Sequence, residues 1–554
     1  MTPTRKSLRP LAASLLAVAL SLTAGQPVYA QAPPAAAPAD ERFAINAFKV
    51  EGNSILSSAE VDAAVTPFAG KSKVYGDIQK ALESLERTYR ARGYAAVQVF
   101  LPEQTVDSGT VRITVVEAKL SKIEIKGNVH FDEANIRSSL PSLHLGHSPN
   151  TLAISSAVRA ANENPARQVD VVLGVGAKED EVTAEVQVTD YSPFKIFFTL
   201  DNTGSSSTGK TRLSAGLQHA NLFNADHVLT AQYTTSPEKP SQVSIFSLGY
   251  RIPLYSWGGA VDAFAAKSNV SSGTTATVAG PLSFTGKGDI LGVRYNHYLP
   301  RIGEYTHKVI AGIDYRAFKN DCTLGAFGAA GCGGAAYPVT LKPLSLTYYG
   351  EWTGVGRQTG FNVGVAHNFG NGSNGNDTAF NLVKGGGIGN TPTFTGMRAR
   401  YTILRGGVSH VQVLPADLQL RGGVSFQVAN QALVPQEQFG FAGSTAVRGF
   451  TEREVARDKG YYGNLELYGP DWGKALGEGV SLRVLGFYDF GAGSSYSYGG
   501  TATPREGISS AGLGLRVSVG RLLTVRGDIG RVLNAGGAQG RGDTRGHVSM
   551  SLSF

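Results

Sequence analysis

The amino-acid sequence predicts two small α/β modules followed by a transmembrane antiparallel β-barrel of about 16 strands. Three observations lead to this prediction: an internal repeat in the first third of the chain, alternation of apolar and polar residues in the remainder, and connections that are by turns short and long. The composition agrees with many short strands, since 70 of the 554 residues are glycine. Only 17% of the residues are charged, against roughly 25% in soluble proteins. The sequence contains no internal run of about eighteen apolar residues, so it predicts no membrane-spanning helix.

Residues 1–30 are predicted to be an export signal. Three basic residues open the chain, residues 11–24 are mostly apolar, and Ala30 ends a segment that suits signal-peptidase cleavage. A membrane anchor is the alternative, but so short an apolar stretch cannot cross about 30 Å of hydrocarbon as a helix. Cleavage after Ala30 would lower the net charge from +8 to +5. Residues 31–42 are predicted to be a Pro/Ala-rich linker.

Residues 43–118 and 119–193 are predicted to be two copies of one module with the order β-α-α-β-β. In the first copy a strand ends at a Gly-Asn pair that begins with Gly52, and a helical stretch then covers residues 58–69. The same order returns after about 76 residues, with a second Gly-Asn pair beginning at Gly127. The repeat therefore indicates a duplicated domain.

Residues 194–554 are predicted to form the barrel. Helical spacing disappears there, and apolar residues alternate with small or polar ones over segments of about ten residues. In the last segment, for example, Val548, Met550 and Leu552 alternate with serines. Such strands have one apolar and one polar face. This pattern fits either a soluble sandwich or a barrel with lipid outside and water inside.

Three features favour the barrel over the sandwich. The segments have the ~9–11 residues that a tilted membrane strand needs. Their polar faces carry arginines and carboxylates that a sandwich would have to pair. Short connections such as 222–226 alternate with long ones such as 370–391. The 361 residues correspond to about sixteen strands at roughly 22 residues each, and closure leaves no unpaired sheet edge in lipid.

Cys322 and Cys332 are the only cysteines, and they lie in a Gly/Ala-rich stretch. In an exported protein such a close pair is predicted to form a loop-closing disulfide. Two thiols without a nearby histidine cannot complete a zinc site. No metal is therefore expected.

Enzymatic and nucleotide-binding functions find little support. Residues 204–211 match the P-loop pattern, but the alternation after them predicts a strand where nucleotide binding needs a helix. Neither Gly-x-Ser-x-Gly nor His-Glu-x-x-His occurs. The small positive charge comes without a basic run. We therefore expect no enzyme, no cofactor, no nucleotide and no nucleic acid.

Several motifs resemble those of one family. Residues 48–53, 87–94 and 101–104 resemble a POTRA (polypeptide-transport-associated) domain. The segments 200–204, 221–223, 447–450 and 487–491 resemble motifs of the two-partner secretion transporters (TpsB type), which secrete haemolysins and haemagglutinins. The resemblance extends over nearly all of the chain after residue 42.

The resemblance implies an outer-membrane location in a Gram-negative bacterium, with both POTRA domains in the periplasm. It also implies export of one large β-helical exoprotein, the TpsA-type partner, through the barrel. Outer-membrane lipid, lipopolysaccharide and the barrel assembly machinery are the other expected partners. An insertase for other barrels and a diffusion porin are the alternatives. The small number of POTRA domains disfavours the insertase, and a porin has no use for docking domains.

The candidate functional residues follow from this resemblance and from the strand pattern. The loop motif is Val447, Arg448, Gly449 and Phe450 in the large loop 431–458, the wall motif is Phe487, Asp489 and Gly491, and the assembly signal is the C-terminal Phe554. Asp489 is in phase with the polar residues of its strand and should face the lumen. There the guanidinium of Arg448 can pair with it through two hydrogen bonds.

Members of the family often have an N-terminal helix that plugs the barrel. Only about eleven residues, rich in proline, separate Ala30 from the first predicted strand. Proline interrupts helices, so we expect no N-terminal plug in this chain.

Overall fold

The computed structural model describes residues 42–105, 109–269, 273–277, 280–284, 287–319, 337–388, 391–496 and 503–554. The predicted export signal, nearly all of the predicted linker and both cysteines lie outside these ranges. Within them, two α/β modules are followed by a closed antiparallel barrel, which confirms the predicted fold class. In the described ranges, no helix combines the length and the apolar character that crossing a membrane requires.

The first module is a three-stranded sheet with two helices and a short two-stranded ribbon. Its elements are β1 (Phe43–Ile45), β2 (Ala47–Glu51), α1 (Ser58–Val65), β3 (Gly70–Lys73), α2 (Tyr75–Ala91), β4 (Val97–Phe100) and β5 (Thr110–Glu117). The central strand β5 pairs in parallel with β2 and antiparallel with β4.

Two details of this module differ from the predictions. The first helix ends at Val65 rather than at residue 69, because Pro67 has no backbone N–H to donate to an α-helical hydrogen bond, and Thr66–Phe68 form a short 3₁₀ turn instead. The ribbon of β1 and β3 was not predicted. These strands have only three and four residues, too few to show a period in the sequence.

The second module repeats the three-stranded sheet. Its elements are β6 (Lys119–Lys126), α3 (Glu133–Ser139), α4 (Thr151–Ala161), β7 (Arg167–Val175) and β8 (Glu181–Asp190). The repeated glycines Gly52 and Gly127 have φ angles of +87° and +83°. A Cβ atom at these positions would lie 2.2 Å from the carbonyl oxygen of Val115 and 2.3 Å from that of Val188, respectively. The repeat therefore conserves a turn that only glycine fits.

A carboxylate at the end of the last strand holds this turn in each module. Glu117 accepts hydrogen bonds from the backbone N–H groups of Ser54 (2.8 Å) and Ile55 (3.0 Å) and from the Tyr89 hydroxyl (2.9 Å). Asp190 accepts bonds from three consecutive backbone N–H groups in the second module. Burial alone would raise the pKa of Glu117, but the hydrogen bonds lower it below its ordinary value.

The remaining chain forms the barrel. In chain order its elements are β9 (Phe194–Asp201), β10 (Arg212–Leu222), β11 (His227–Thr235), β12 (Ser244–Leu254), β13 (Gly259–Ser268), β14 (Gly273–Thr277), β15 (Gly280–Phe284), β16 (Gly288–Ile302), β17 (Tyr305–Phe318), β18 (Val339–Leu341), β19 (Pro343–Gly354), β20 (Arg357–Asn368), α5 (Asp377–Gly385), β21 (Gly387–Ile388), β22 (Thr391–Pro392), β23 (Tyr401–Val413), β24 (Gln419–Ala429), β25 (Phe439–Gly440), β26 (Ala456–Arg457), β27 (Lys459–Tyr468), β28 (Val480–Ser494), β29 (Glu506–Val519), β30 (Leu523–Asn534) and β31 (Thr544–Ser553). Elements β14, β15, β21, β22, β25, β26 and α5 belong to connections. Strands β18 and β19 are two pieces of one wall strand, so the wall has sixteen strands, and β31 pairs with β9 to close it.

The two ends of the barrel differ in their connections. At the end beside the second module, here called the module end, the turns are short, as at 223–226 and 255–258. At the opposite end, here called the far end, the connections include 369–400 and the loop 431–458. Residues 204–211, which match the P-loop pattern, lie in a far-end connection between two strands. This context lacks the helix that phosphate binding by a P-loop requires.

The outer face of the wall is apolar, as the alternation predicts. Leu513, Leu515 and Ile529, for example, are 62%, 41% and 54% exposed. The inner face carries polar residues such as Asp489, which is fully buried. A membrane barrel exposes its apolar face to lipid, which accounts for this pattern.

One part of the inner face is not polar, contrary to the prediction of a water-lined lumen. Near the far end, the inward side chains of Phe264, Ile290 and Phe318 are buried in an apolar cluster with Phe380 and Val383 of α5. The connection that contains α5 thus folds into the barrel and replaces water there. Strand alternation could not reveal this, because apolar residues then occupy both faces.

The Glu117 interactions generate a prediction about the first module. Glu117→Gln should lower the stability of this module at pH 7 by about 1–3 kcal/mol, because four donors, including the Ser54 hydroxyl, lose a charged acceptor. A carboxyl group with a lowered folded-state pKa stabilises the fold above its unfolded pKa, and this contribution is lost as the pH falls through the folded pKa. The difference between wild type and variant should therefore disappear in strong acid.

Hydrogen exchange of the α2 amide groups in increasing urea measures this difference in the full chain. Glu124→Gln is the control, since the Glu124 side chain only forms surface ion pairs with lysines. Equal urea midpoints for wild type and Glu117→Gln at pH 7 would contradict the prediction.

Candidate functional site

The loop 431–458 folds back into the barrel instead of extending beyond it. Its side chains of Phe441, Val447 and Phe450 are buried. They form an apolar cluster with the inward-facing Ile508 of β29 and Val532 of β30. The loop therefore has a small core of its own against the wall, which accounts for its defined position inside the lumen.

Arg448 lies at the inner tip of this loop and binds Asp489 of β28 through both carboxylate oxygens. Its Nε is 2.7 Å from Oδ2 and its Nη2 is 2.8 Å from Oδ1. The backbone N–H of Arg448 also donates to Oδ2, at 3.1 Å. The guanidinium carbon lies 3.5 Å from the centroid of the Phe487 ring. Two members of the predicted wall motif thus contact one arginine, through a fork-shaped ion pair and a cation–π contact.

Two further carboxylates from neighbouring strands reach the same guanidinium. Nη1 of Arg448 lies 2.8 Å from Glu466 of β27 and 3.3 Å from Asp528 of β30. Arg516 of β29 shares the Asp528 carboxylate, at 3.0 Å. Arg448 is 3% exposed, so its charge is balanced by protein groups rather than by water. One loop residue therefore ties together three strands of the wall.

The next loop residue, Gly449, touches the neighbouring wall strand β31. Its N–H donates to Nε2 of His547 on β31, at 3.0 Å. Its φ of +93° favours glycine. A Cβ atom on Gly530 of β30 would lie 2.9 Å from the Gly449 nitrogen. Glycine at both positions is what lets the loop lie directly against the strand.

The structure brings most of the predicted site residues together. Val447, Arg448, Gly449 and Phe450 lie in the lumen beside Phe487, Asp489 and Gly491, and a Cβ on Gly491 would lie 3.0 Å from the Phe441 ring. Phe554 lies elsewhere, at the end of β31, where its backbone exchanges hydrogen bonds with Ile196 of β9. Its side chain is 68% exposed on the outer face. The predicted Cys322–Cys332 disulfide falls outside the described residues.

Sequence reasoning missed four wall residues of this site: Glu466, Asp528, Gly530 and His547. The strand alternation contained a usable signal, because His547 is in phase with serines and Asp528 with Arg526. From this alternation alone, His547 and Asp528 can be predicted to face the lumen, but not to lie near Arg448. Their convergence on Arg448 depends on how the loop folds in.

The base of the loop has a second anchor. The buried carboxylate of Glu437 lies 2.8 Å from Arg316 of β17 and 2.9 Å from Arg405 of β23. Near the other end of the loop, Asp458 is fully buried and accepts hydrogen bonds from the N–H groups of Leu433 and Tyr496. Glu437 thereby binds the base of the loop to the wall, and Asp458 joins the two ends of the loop to each other and to the connection after β28.

A basic strip lies below the loop, toward the module end. Arg483, Arg516 and Arg526 are directly opposite one another on β28, β29 and β30. Together with Arg421 they line a cavity of about 490 Å³. Asp417 pairs with Arg483 at 2.8 Å, whereas Arg526 has no acidic partner among the described residues. Like charges opposite each other destabilise a sheet, so the strip should attract anions.

The second module is fixed to the barrel by a buried ion pair. Arg167 of β7 lies 2.5 Å from Asp226 in the first turn at the module end, and both side chains are at most 1% exposed. The Tyr255 hydroxyl donates to Asp226 at 2.5 Å. Glu163, after α4, lies 3.3 Å from both Arg251 and Lys308 of the wall. The module therefore has a defined position beneath the lumen.

No group of three or more histidine, cysteine, aspartate or glutamate side chains suited to a metal ion occurs among the residues that the structure describes. The carboxylates of the lumen instead pair with arginines. The arrangement therefore binds and positions protein segments, and its chemistry is that of ion pairs and hydrogen bonds.

Comparison with known proteins gives two family matches. Residues 43–118 match the ShlB-type POTRA domain. Residues 181–322 and 354–517 match the family described as haemolysin secretion/activation protein ShlB/FhaC/HecB. The latter two segments make up more than half of the chain.

Individual relatives also match most of the chain. The outer membrane transporter CdiB of Dickeya dadantii (strain 3937) is 21% identical over 455 residues, covering 81% of this chain and 75% of the relative. The heme/hemopexin transporter protein HuxB of Haemophilus influenzae is 21% identical over 456 residues, covering 77% and 72%. The solved structure of CdiB from Escherichia coli has a TM-score of 0.71 at 18% identity and covers 95% of this chain and 93% of that one. The structural likeness shows a shared fold.

The Arg448 contacts predict an effect on ion conductance. Arg448→Ala leaves the buried Asp489 without its counter-ion, which should cost about 3–5 kcal/mol of loop attachment. The loop should then leave its position for part of the time, and the mean conductance of the channel in a planar bilayer should rise. Arg541→Ala, at an exposed far-end position, is the control. Unchanged conductance in Arg448→Ala would refute an anchoring role for Arg448.

The basic strip predicts anion selectivity. Arg526→Glu should shift the reversal potential in a salt gradient toward cation preference, because it inverts the one strip charge without a described acidic partner. Arg137→Glu, on α3 of the second module, changes the total charge equally but lies outside the barrel. The same shift in both variants, or none in Arg526→Glu, would show that the strip does not control selectivity.

Proposed function

The chain belongs to the haemolysin secretion/activation protein family ShlB/FhaC/HecB, and we propose that it exports one large β-helical exoprotein in two-partner secretion. The barrel spans the outer membrane of a Gram-negative bacterium, and the POTRA modules lie in the periplasm. The module end is therefore the periplasmic end, and the far end faces the cell exterior. The family consists of transporters, and we expect the chain to act by binding and guiding its partner, without catalysis.

The first step is recognition in the periplasm. The outer edge of β6 has no strand partner in the described sheet, and an apolar groove of about 260 Å³ lies beside it. Ile123, Ile125, Leu140 and Leu143 contribute to the groove. An extended client segment can add to this edge through backbone hydrogen bonds, while its alternate side chains enter the groove. This geometry supports docking of the exoprotein on a POTRA sheet edge.

The second step is passage through the lumen. The observation that carries the proposal is that the lumen is filled by connections of the barrel itself, namely the loop 431–458 and the α5 connection. Only non-covalent contacts among the described residues hold these segments, so an entering client can displace them. Arg448 and its three carboxylates then set the resistance to that displacement. Folding of the emerged β-helix outside the cell supplies the free energy, since no nucleotide is used.

The alternatives fit this arrangement less well. A diffusion porin needs an open lumen, whereas apolar residues around α5 form a buried cluster inside this one near the far end. An insertase for other barrels uses larger arrays of POTRA domains, and the second module here is fixed close to the barrel through the Arg167–Asp226 pair. Export of a single partner therefore remains the better-supported function.

Several finer assignments belong to the same proposal. We assign residues 43–118 and 119–193 to the two POTRA domains and 194–554 to the barrel, after an export signal of 1–30 and a linker of 31–42. Phe554 would be recognised by the barrel assembly machinery before β31 closes onto β9. Cys322 and Cys332 would form a disulfide in a far-end connection.

Deletion of residues 43–116 tests whether export needs the first POTRA domain in addition to the β6 edge of the second. The remaining second module and barrel should still fold, because the Arg167–Asp226 contacts do not involve the deleted part. Export of the exoprotein, measured by immunoblotting of the culture medium, should fall below the detection limit. Heat-modifiable migration on a gel shows whether the barrel has folded. Continued export by a folded deletion variant would exclude the first POTRA domain as a docking site.

A further inference from the structure

A basic cluster lies on the outer face of the barrel at its far rim. Lys267 of β13 lies directly opposite Asp289 of β16. Lys319, which follows β17, pairs with Asp289 at 2.6 Å, and its backbone N–H bonds the carbonyl oxygen of Lys287. Lys267 and Lys319 thus flank one carboxylate. The alternation places Lys267 and Asp289 on the same side as Leu291, which faces outward and is 52% exposed.

The cluster lies at the level of the outer membrane boundary. On β17, His307 belongs to a group of aromatic rings on the outer face near the periplasmic end, together with Tyr305 and Trp352. Such aromatic groups mark a membrane interface in barrels. Twelve residues separate His307 from Lys319, which spans about 30 Å at ~3.3 Å per residue and a tilt of ~40°. That distance corresponds to the hydrocarbon core, so Lys319 reaches the opposite interface.

An apolar groove of about 820 Å³ runs along the outer face below the cluster. It exists because Ala215, Ala231 and Ala265 present short side chains between larger ones such as Phe246 and Leu291. Lys267 and Asp289 line the end of the groove nearest the exterior. A narrow apolar channel that ends at a basic group matches the shape and polarity of an acyl chain joined to an anionic head.

We propose that this groove and the lysines Lys267 and Lys319 beside Asp289 form a binding site for the phosphorylated lipid A part of lipopolysaccharide. The charges favour an anionic head group, because two lysines flank one carboxylate and Lys267 has no acidic partner among the described residues. Clusters of lysine attract anionic lipid heads at a membrane surface. The position selects the source, since lipopolysaccharide occupies the outer leaflet while phospholipid heads lie at the periplasmic boundary.

The acyl groove adds selectivity to the charge attraction. An acyl chain that lies between Phe246 and Leu291 contacts the protein along its length. Ala265 lies directly beneath Lys267 on the same face of β13. Head group and chain are therefore bound by neighbouring residues of one strand. This inference depends on the outer-membrane location of the barrel and is independent of what the protein exports.

The test measures lipid A binding to the purified full-length protein in detergent by native mass spectrometry. Lys267→Gln/Lys319→Gln should bind diphosphorylated lipid A about tenfold more weakly than wild type. Lys71→Gln/Lys474→Gln, which removes two exposed lysines at the periplasmic side, should bind as wild type does. Dephosphorylated lipid A should bind wild type as weakly as intact lipid A binds the first variant.

Ala265→Trp tests the groove separately, since it fills the space under Lys267 and leaves the lysines intact. It should also weaken lipid A binding about tenfold, while heat-modifiable migration confirms folding. Wild-type affinity in the double lysine variant would overturn the proposal. Equal competition by phosphatidylglycerol, or a dimer of the protein that forms through this face in place of lipid binding, would overturn it as well. Export assays on the same variants report on the proposed transport function independently.

Discussion

A β-sheet in lipid must close on itself, because hydrocarbon offers no hydrogen-bond partner to a free edge. The sixteen-stranded wall satisfies this constraint where β31 pairs with β9 through five residue pairs, supplemented by the hydrogen bonds between Ile196 and Phe554. Closure then dictates the rest of the barrel. One face of every strand meets lipid, the other meets the lumen, and whatever enters the lumen must come from connections at the two ends.

The lumen of this barrel is occupied in two physically different ways. Near the exterior, α5 and inward apolar residues such as Phe264 form a dry core. Around Arg448, a charged side chain is buried among Asp489, Glu466 and Asp528. Apolar packing is strong but does not fix one orientation of the packed segments. A buried arginine does, because the folded structure loses much stability once the carboxylates that pair with the arginine move away. The loop 431–458 is consequently held in one position by its charge and is sensitive to anything that competes for that charge.

The periplasmic part is connected to this lumen by polar contacts of similar design. Arg167, Asp226 and Tyr255 form a buried network at the first turn of the barrel. The second module therefore has a defined position at the module end of the barrel, and its strand β6 has no strand partner on its outer edge. The Arg167–Asp226 ion pair fixes the module relative to the barrel.

The sequence by itself determined the features that repeat along the chain. The two Gly-Asn turns predicted the duplicated module, and alternation predicted the wall, its outer face and the lumen-facing position of Asp489. These patterns are local, since each follows from the geometry of a single strand or turn. Only the tertiary structure decided which residues meet across the lumen: His547 at Gly449, Glu437 between Arg316 and Arg405, and α5 inside the barrel. The lysine cluster and the docking of the second module likewise depend on the register of neighbouring strands and on how long connections fold. Such contacts join residues far apart in the chain, and no local period in the sequence records them.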